Sequence, residues 1–213
     1  MRRVGRRRAV HLVGALACLL LAAPALAGSP RRHYLRAHAA VTEKLVIYDG
    51  FHTAVLMRAT LIDPVFVDAL AMERARLLGP ALRDPNALIE EMRLDREGVF
   101  EVVFAADSAL PHGEQFLPDE PGWEIVLEAD GVEQPLLSVE RLSDPSPMQR
   151  ALFPQVTIWA EMYVARFQRT ASRPDRVEMH VGSGYGHGTI TWERTRRRER
   201  RLERAFRAML REE

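Results

Sequence analysis

The chain has 213 residues, 47% of them hydrophobic, which is enough for one folded domain with a core of ordinary size. It carries 30 basic and 29 acidic side chains, and removing the five arginines of residues 1–27 leaves 25 basic residues against 29 acidic ones. The single cysteine, Cys18, also lies in that first segment. Residues 28–213 therefore cannot form a disulfide framework or a thiolate metal site.

Residues 1–27 have the pattern of a bacterial secretory signal peptide. A positive head precedes an apolar run from Ala9 to Ala23, and Ala25-Leu26-Ala27 follows with small residues at the positions that signal peptidase reads. The run is shorter than the roughly 20 apolar residues of a membrane-spanning helix. The sequence predicts cleavage after Ala27 and a periplasmic or secreted protein.

Two other export routes fit this segment less well. A lipoprotein box ending at Cys18 has Ala15 where leucine is usual, and the apolar run continues beyond the cysteine. The residues after Arg6 and Arg7 do not complete a twin-arginine motif.

The sequence next predicts a polar leader, residues 28–43, and then a β-rich domain over 44–193. Residues 45–48 form a β-prone run that ends at the turn pair Asp49-Gly50. Residues 53–62 are apolar on both faces apart from Arg58, which is typical of a strand covered on both sides. The two runs predict a hairpin.

A helical insertion is predicted over about 63–94. Asp63-Pro64 has the pattern of an N-cap followed by proline in the first helical turn, and Gly79-Pro80 ends that helix. Asp84-Pro85 repeats the start signal for a shorter second helix.

From residue 99 the apolar residues alternate, which indicates strands. The pair Asp130-Gly131 predicts a hairpin turn between the second and third of them, and Trp159, Tyr163 and Phe167 share one face of a long strand that should lie at the core. The predicted strands are 99–104, 123–128, 136–142, 156–167, 177–181 and 189–192.

Aromatic core positions and turns follow one another in a fixed succession in the second half of the chain: Trp123 to Leu127, Phe153-Pro154, Trp159, Tyr163, Phe167 and the segment from Val177 to Trp192. In this succession the chain resembles uncharacterised exported proteins of GC-rich bacteria that have an immunoglobulin-like sandwich. The resemblance covers roughly residues 44–193, and it implies a fold but brings no activity or site residues. The expected fold is α+β and mainly β: an immunoglobulin-like antiparallel β-sandwich with one or two helices between early strands.

The candidate metal ligands are Glu178, His180 and His187, which stand close together in the sequence and suit zinc. His52 is a further candidate, whereas His112 lies in another predicted turn. The competing interpretation is a solvent-facing strand, because Glu178 and His180 alternate with apolar residues. The sequence assigns no catalytic residue and predicts no cofactor.

The segment 182–188 has four glycines in alternate positions, which raises the possibility of a phosphate-binding loop. A strand is predicted to follow, however, whereas phosphate loops lead into a helix. The sequence therefore favours a flexible hairpin turn whose glycines supply positive φ angles.

The C-terminal segment 194–213 is predicted to be a basic amphipathic helix, with nine arginines against four glutamates. Its apolar stripe either docks on the acidic body of the protein or faces an envelope protein or an anionic membrane surface through residues 195–213. Export excludes nucleic acid as a partner, and the sequence does not define an oligomeric state.

The sequence favours a non-enzymatic binding or structural module of the bacterial envelope. The alternative is a metal-dependent envelope hydrolase that uses Glu178, His180 and His187.

Overall fold

The structure is a computed structural model that describes residues 30–79, 84–108, 116–118, 122–157 and 159–211. The predicted signal peptide, Cys18 and His112 lie outside these residues. The described residues form five helices and nine strands. The helices are α1 (Pro30–Val41), α2 (Pro64–Leu78), α3 (Pro85–Leu94), α4 (Pro147–Leu152) and α5 (Arg196–Leu210). The strands are β1 (Thr42–Asp49), β2 (His52–Ile62), β3 (Val99–Ser108), β4 (Glu124–Ala129), β5 (Val132–Gln134), β6 (Leu136–Leu142), β7 (Glu161–Gln168), β8 (Arg176–Ser183) and β9 (Gly186–Glu193).

The strands form two antiparallel sheets. Sheet A has the order β1-β2-β3-β7-β6, and sheet B has the order β5-β4-β8-β9. All neighbouring strands in both sheets run antiparallel. The prediction of a mainly β, α+β fold is confirmed, and α2 and α3 lie between β2 and β3 as expected.

One hydrophobic core lies between the two sheets. Alternate residues of β3, among them Phe100 and Phe104, point from sheet A into this core. Leu127, Met179 and Trp192 enter it from sheet B and are almost fully buried. Side chains along a strand point alternately to its two faces. The apolar side chains on the inner faces of the two sheets therefore pack against each other.

Helices cover the other face of sheet A and enclose a second core. Val103 of β3 and Met162 of β7 are buried there with Phe66 of α2 and Leu202 of α5. The molecule therefore has three layers, in the order sheet B, sheet A and helices. This explains why the central strands of sheet A are apolar on both faces, as the sequence predicts for β2.

Helix α1 lies in the segment that the sequence predicts as a polar leader, and this expectation needs correction. Tyr34, Ala37 and Val41 recur at helical spacing and are fully buried in the second core. The Tyr34 hydroxyl donates a hydrogen bond to the Leu152 carbonyl, and burial raises the pKa of Tyr34. Helix α1 is therefore part of the folded domain.

The prediction that Trp159 lies at the core is wrong. Strand β7 begins at Glu161, and Trp159 lies in a turn before it with 77% of its surface exposed. After α4 the chain turns tightly, with the Val156 N–H donating to the Phe153 carbonyl, so the strand alternation begins later than predicted. Tyr163 and Phe167 are buried as predicted.

The predicted hairpin around Asp130-Gly131 is correct in its turn and wrong in its second strand. Both turn residues have positive φ, as a two-residue turn of this kind requires. The partner of β4 is the short strand β5, and the chain then passes Pro135 and joins sheet A as β6. Proline has no backbone N–H to donate to a neighbouring strand, so the pairing of β5 ends at Pro135 and the chain changes sheet there.

Candidate functional site

The three candidate metal ligands lie on the outward face of sheet B. Val177, Met179 and Val181 of β8 point into the core. Glu178 and His180 alternate with them and therefore point away from it. On β9, His187 pairs with Gly182 and shares the outward face. His52, the fourth candidate, is exposed at the start of β2 in sheet A.

Hydrogen bonds already engage two of these side chains. His180 Nδ1 lies 3.0 Å from Thr189 Oγ1, and its Nε2 lies 3.6 Å from a Glu128 carboxylate oxygen. Glu178 accepts hydrogen bonds from Arg176 at 2.8 Å and from Thr191 at 3.3 Å. Across the described ranges, no three His, Cys, Asp or Glu side chains are arranged to hold a metal ion. The outward face is a network of hydrogen-bonded polar side chains.

The glycine-rich segment connects β8 and β9, and a strand follows it as predicted. Two of its glycines face β1 of the other sheet. A Cβ atom at Gly188 would lie 2.6 Å from Leu45 Cδ1, and one at Gly186 would lie 2.9 Å from Ile47 Cγ2. Gly186 also has a φ of 142°. These glycines allow the two sheets to approach closely, which is a packing role rather than phosphate binding.

Helix α5 docks on the body of the protein through its apolar stripe. Leu202, Ala205 and Met209 are buried against α1 and α2 in the second core. This is one of the alternatives that the sequence leaves open for the helix. These three side chains are therefore covered by the rest of the protein.

The opposite side of α5 carries an almost unbroken row of arginines, which we call the arginine face. At 3.6 residues per turn, its members fall within an arc of about 140°. All seven are exposed, and within the described chain only Arg207 has an ion pair, with Glu203 at 3.6 Å. The members are Arg196, Arg197, Arg200, Arg201, Arg204, Arg207 and Arg211.

A separate cavity of about 120 Å³, the arginine pocket, opens where α2 and α5 begin, beside the segment that joins β7 to β8. Its walls are apolar at Leu61, Phe100, Val177, Trp192 and Leu202. Its charged lining consists of Asp63, Arg169, Arg173, Arg194, Arg198 and Glu199.

Two arginines of this pocket have buried nitrogens without a hydrogen-bond partner among the described residues. These are Nε of Arg169 and both Nε and Nη2 of Arg198. Burial lowers the pKa of both guanidinium groups, and the carboxylate of Asp63 opposes that shift. The carboxylate of Asp63 itself caps α2 by accepting hydrogen bonds from the Val65 and Phe66 N–H groups.

The sequence alone does not predict this pocket, although it contains one signal of it. Arg198 falls on the same helical stripe as Leu202, Ala205 and Met209, so it is a half-buried arginine on the docked side of the helix. Arg169 follows the end of β7 and has no comparable signal.

A second polar cluster is buried between α1 and sheet A. His38 is 4% exposed and contacts the hydroxyls of Thr42 and Thr60, and Gln155 Nε2 donates to Thr60 Oγ1 at 3.0 Å. Burial lowers the pKa of His38 to about 4, although its hydrogen bond with Gln155 opposes the shift. The cluster connects the first helix to the sheet.

Fold and sites together define the class of protein: an α+β protein of two antiparallel sheets with a helical layer and two arginine-rich surfaces. A scan against models of known protein families gives no match, and neither does a search of curated proteins. Of the described helices, none combines the length and the apolarity needed to cross a membrane.

Proposed function

We propose that this chain is an exported, non-enzymatic binding module of the bacterial envelope that attaches to an anionic membrane surface through the arginine face. The observation that carries this proposal is the row of seven exposed arginines, six on α5 and Arg211 at its C-cap; all but Arg207 have no ion pair to a described residue. Clustered basic side chains are attracted to anionic headgroups by about 1 kcal/mol each near the surface.

The neighbouring helix carries two further exposed arginines. Helix α1 contacts α5, and its Arg32 and Arg36 are exposed. An exposed row of cations suits an extended sheet of headgroups better than a single small ligand, which needs a concave site. Because the apolar stripe of α5 is buried, the attachment is electrostatic and weakens as salt screens it.

Export and the immunoglobulin-like class belong to the same proposal. The pattern of residues 1–27 supports export, and a pair of facing antiparallel sheets supports the immunoglobulin-like class. Strand connections that differ from those of immunoglobulin domains would contradict the finer class alone.

Vesicle sedimentation tests the membrane proposal. We expect the purified protein to sediment with vesicles that contain phosphatidylglycerol and to stay in solution with pure phosphatidylcholine. Replacing Arg200 and Arg204 by glutamine removes two surface charges, and at about 1 kcal/mol each this should lower the vesicle affinity about 30-fold.

The matched control replaces Arg141 and Arg176 by glutamine, which removes the same charge from strands in the two sheets. These arginines form surface ion pairs of small value, so the control should bind vesicles as the parent does. Equal losses in the two variants, or sedimentation that high salt does not reduce, would refute the arginine face as the attachment surface.

A further inference from the structure

We propose that the arginine pocket binds a small organic carboxylate with an apolar body, held by the unpaired edge of Arg198. This site is separate from the arginine face, because neither Arg198 nor Arg169 belongs to that face.

The guanidinium of Arg198 is anchored on one side only. Its Nη1 donates to the Glu193 carbonyl at 3.2 Å, while Nε and Nη2 are buried and unpaired within the described chain. The N–H bonds of Nε and Nη2 lie side by side and nearly parallel. Their spacing matches the two oxygens of one carboxylate, which is the bidentate arrangement that arginine favours.

Arg169 supplies a second donor in the same pocket. Its guanidinium carbon lies 4.4 Å from the centre of the Phe100 ring, which fixes the plane of the group by a cation–π contact. Its Nε is buried without a partner among the described residues. Removing a cation from water without a partner costs free energy, and an anion that accepts from these nitrogens recovers part of that cost.

The charges around the cavity also favour an anion. Four arginines face two carboxylates in the lining, so its formal net charge is +2. Glu199 is already paired with Arg194 at 2.6 Å, and Asp63 is engaged as a helix cap. The positive charge of Arg169 and Arg198 has no ion pair with any described residue, and an anion would supply one.

The apolar walls and the size of the pocket narrow the class of ligand. Phe100, Trp192 and Leu202 are among the lining residues and are only 1–2% exposed, so the small apolar surface that they leave open would face the body of a ligand rather than its charged head. A volume of about 120 Å³ is well below the roughly 300–1,000 Å³ of sites for drug-sized molecules. Inorganic phosphate and acetate both lack the apolar body that these walls would cover.

Calorimetric titration with four probes tests the assignment. We expect benzoate to bind, acetate to bind at least about tenfold more weakly because it buries less apolar surface, and benzyl alcohol to show no binding because it lacks the charge. Inorganic phosphate should bind more weakly than benzoate for the same reason as acetate.

Variants of Arg198 test the bidentate contact. Arg198→Gln removes the positive charge. Arg198→Lys keeps the charge but loses the two parallel N–H groups, so both variants should weaken benzoate binding by at least about tenfold. Arg200→Gln, an exposed arginine on the same helix, should leave benzoate binding unchanged. Circular dichroism and the unfolding midpoint of each variant show whether it is folded.

Crystals soaked in 4-bromobenzoate locate the ligand without any variant, since anomalous scattering from bromine should appear beside Phe100 and Trp192. Absence of benzoate binding to the folded protein, bromine located elsewhere, or full binding by folded Arg198→Gln would each overturn the proposal. Phosphate binding that exceeds benzoate binding and depends on Arg198 would overturn the carboxylate assignment. Vesicle attachment does not enter any of these measurements.

Discussion

Gly186 and Gly188 of β9 lie so close to β1 that a side chain at either position would meet Leu45 or Ile47. The sequence predicts that the glycines supply turn conformations, and this holds for Gly186, with its positive φ. For Gly188 the reason is the approach of the opposite sheet, which a single sequence does not reveal. The glycines of this segment therefore predict a turn, but they do not predict the close contact between sheet A and sheet B.

Replacing Gly188 by alanine should lower the free energy of unfolding by about 1–3 kcal/mol, because Leu45 must move out of a packed interior. Gly184 is the control, since a Cβ atom there would meet no atom within 4 Å. Gly184→Ala should change the free energy of unfolding by less than about 0.5 kcal/mol. Urea denaturation followed by tryptophan fluorescence measures both, and equal effects would contradict the packing role.

His38 should make the stability of the domain depend on pH. Its pKa is about 4 in the folded protein, against 6.5 for an unburied histidine, so between these values the unfolded chain binds the proton more readily. The contribution is fully present above pH 6.5 and is lost as the pH falls towards 4. The difference between these two pKa values corresponds to a loss of about 3 kcal/mol in the free energy of unfolding.

Denaturant unfolding at several pH values between 7 and 4 measures this loss. The variant His38→Gln should flatten the dependence in that window, because glutamine does not titrate. His52→Gln, at an exposed position, should keep the slope of the parent. A slope unchanged by His38→Gln would show that other groups cause the dependence.

At the scale of elements, helix boundaries followed local capping chemistry and were predicted well. Asp63 and Asp84 cap α2 and α3 as predicted, and Gly79 ends α2 with a φ of 56°. Helix α4 was missed although Ser146 and Gln149 form a capping box at its start. Six residues are too few to show a helical period, so only the cap could have predicted it.

The errors concern elements whose place depends on distant partners. Helix α1 is polar along much of its length, and its burial becomes visible only with the sheet and helices that cover Tyr34 and Ala37. The chain crosses from sheet B to sheet A at Pro135, where the sequence predicts one hairpin. Strand alternation defines the two faces of a strand and not the sheet that contains it.

The arginine face and the arginine pocket also differ in whether a local sequence pattern predicts them. The helical period of the C-terminal segment predicts the basic amphipathic helix that carries the arginine face. The arginine pocket joins residues from α2, α5 and the connection between β7 and β8, which are far apart along the chain. No local pattern connects Arg169 with Arg198.

Docking of α5 should account for a measurable part of the stability. Leu202→Ala removes a side chain that is 2% exposed and should lower the free energy of unfolding by about 2–5 kcal/mol. Leu210→Ala, on the same helix at 51% exposure, should cost less than about 1 kcal/mol. Chemical denaturation of the two variants compares them, and similar values would mean that the helix does not dock in solution.

The outward face of β8 and β9 should not retain zinc. Glu178 is held by Arg176 and Thr191, so its carboxylate would have to leave two partners to bind a metal. After dialysis against zinc and then buffer, metal analysis should give far less than one zinc per chain. Stoichiometric zinc that is lost in His180→Ala and His187→Ala would support the hydrolase alternative.

For the whole molecule, export predicts a defined mature form. When the full chain is expressed in a bacterium, we expect periplasmic protein that begins at Gly28, because signal peptidase cleaves after small residues such as Ala27. Intact-mass measurement of the periplasmic protein checks this. A chain that keeps residues 1–27, or a lipid attached at Cys18, would contradict the predicted route.

The contact between α1 and α5 has a consequence for how the protein folds. The first and last described helices bury each other's apolar sides, so the helical layer cannot close until α5 is present. Contacts between segments far apart along a chain form slowly, because a long loop must close first. Before α5 docks, α1 would leave part of its apolar side, including Tyr34 or Val41, open to water.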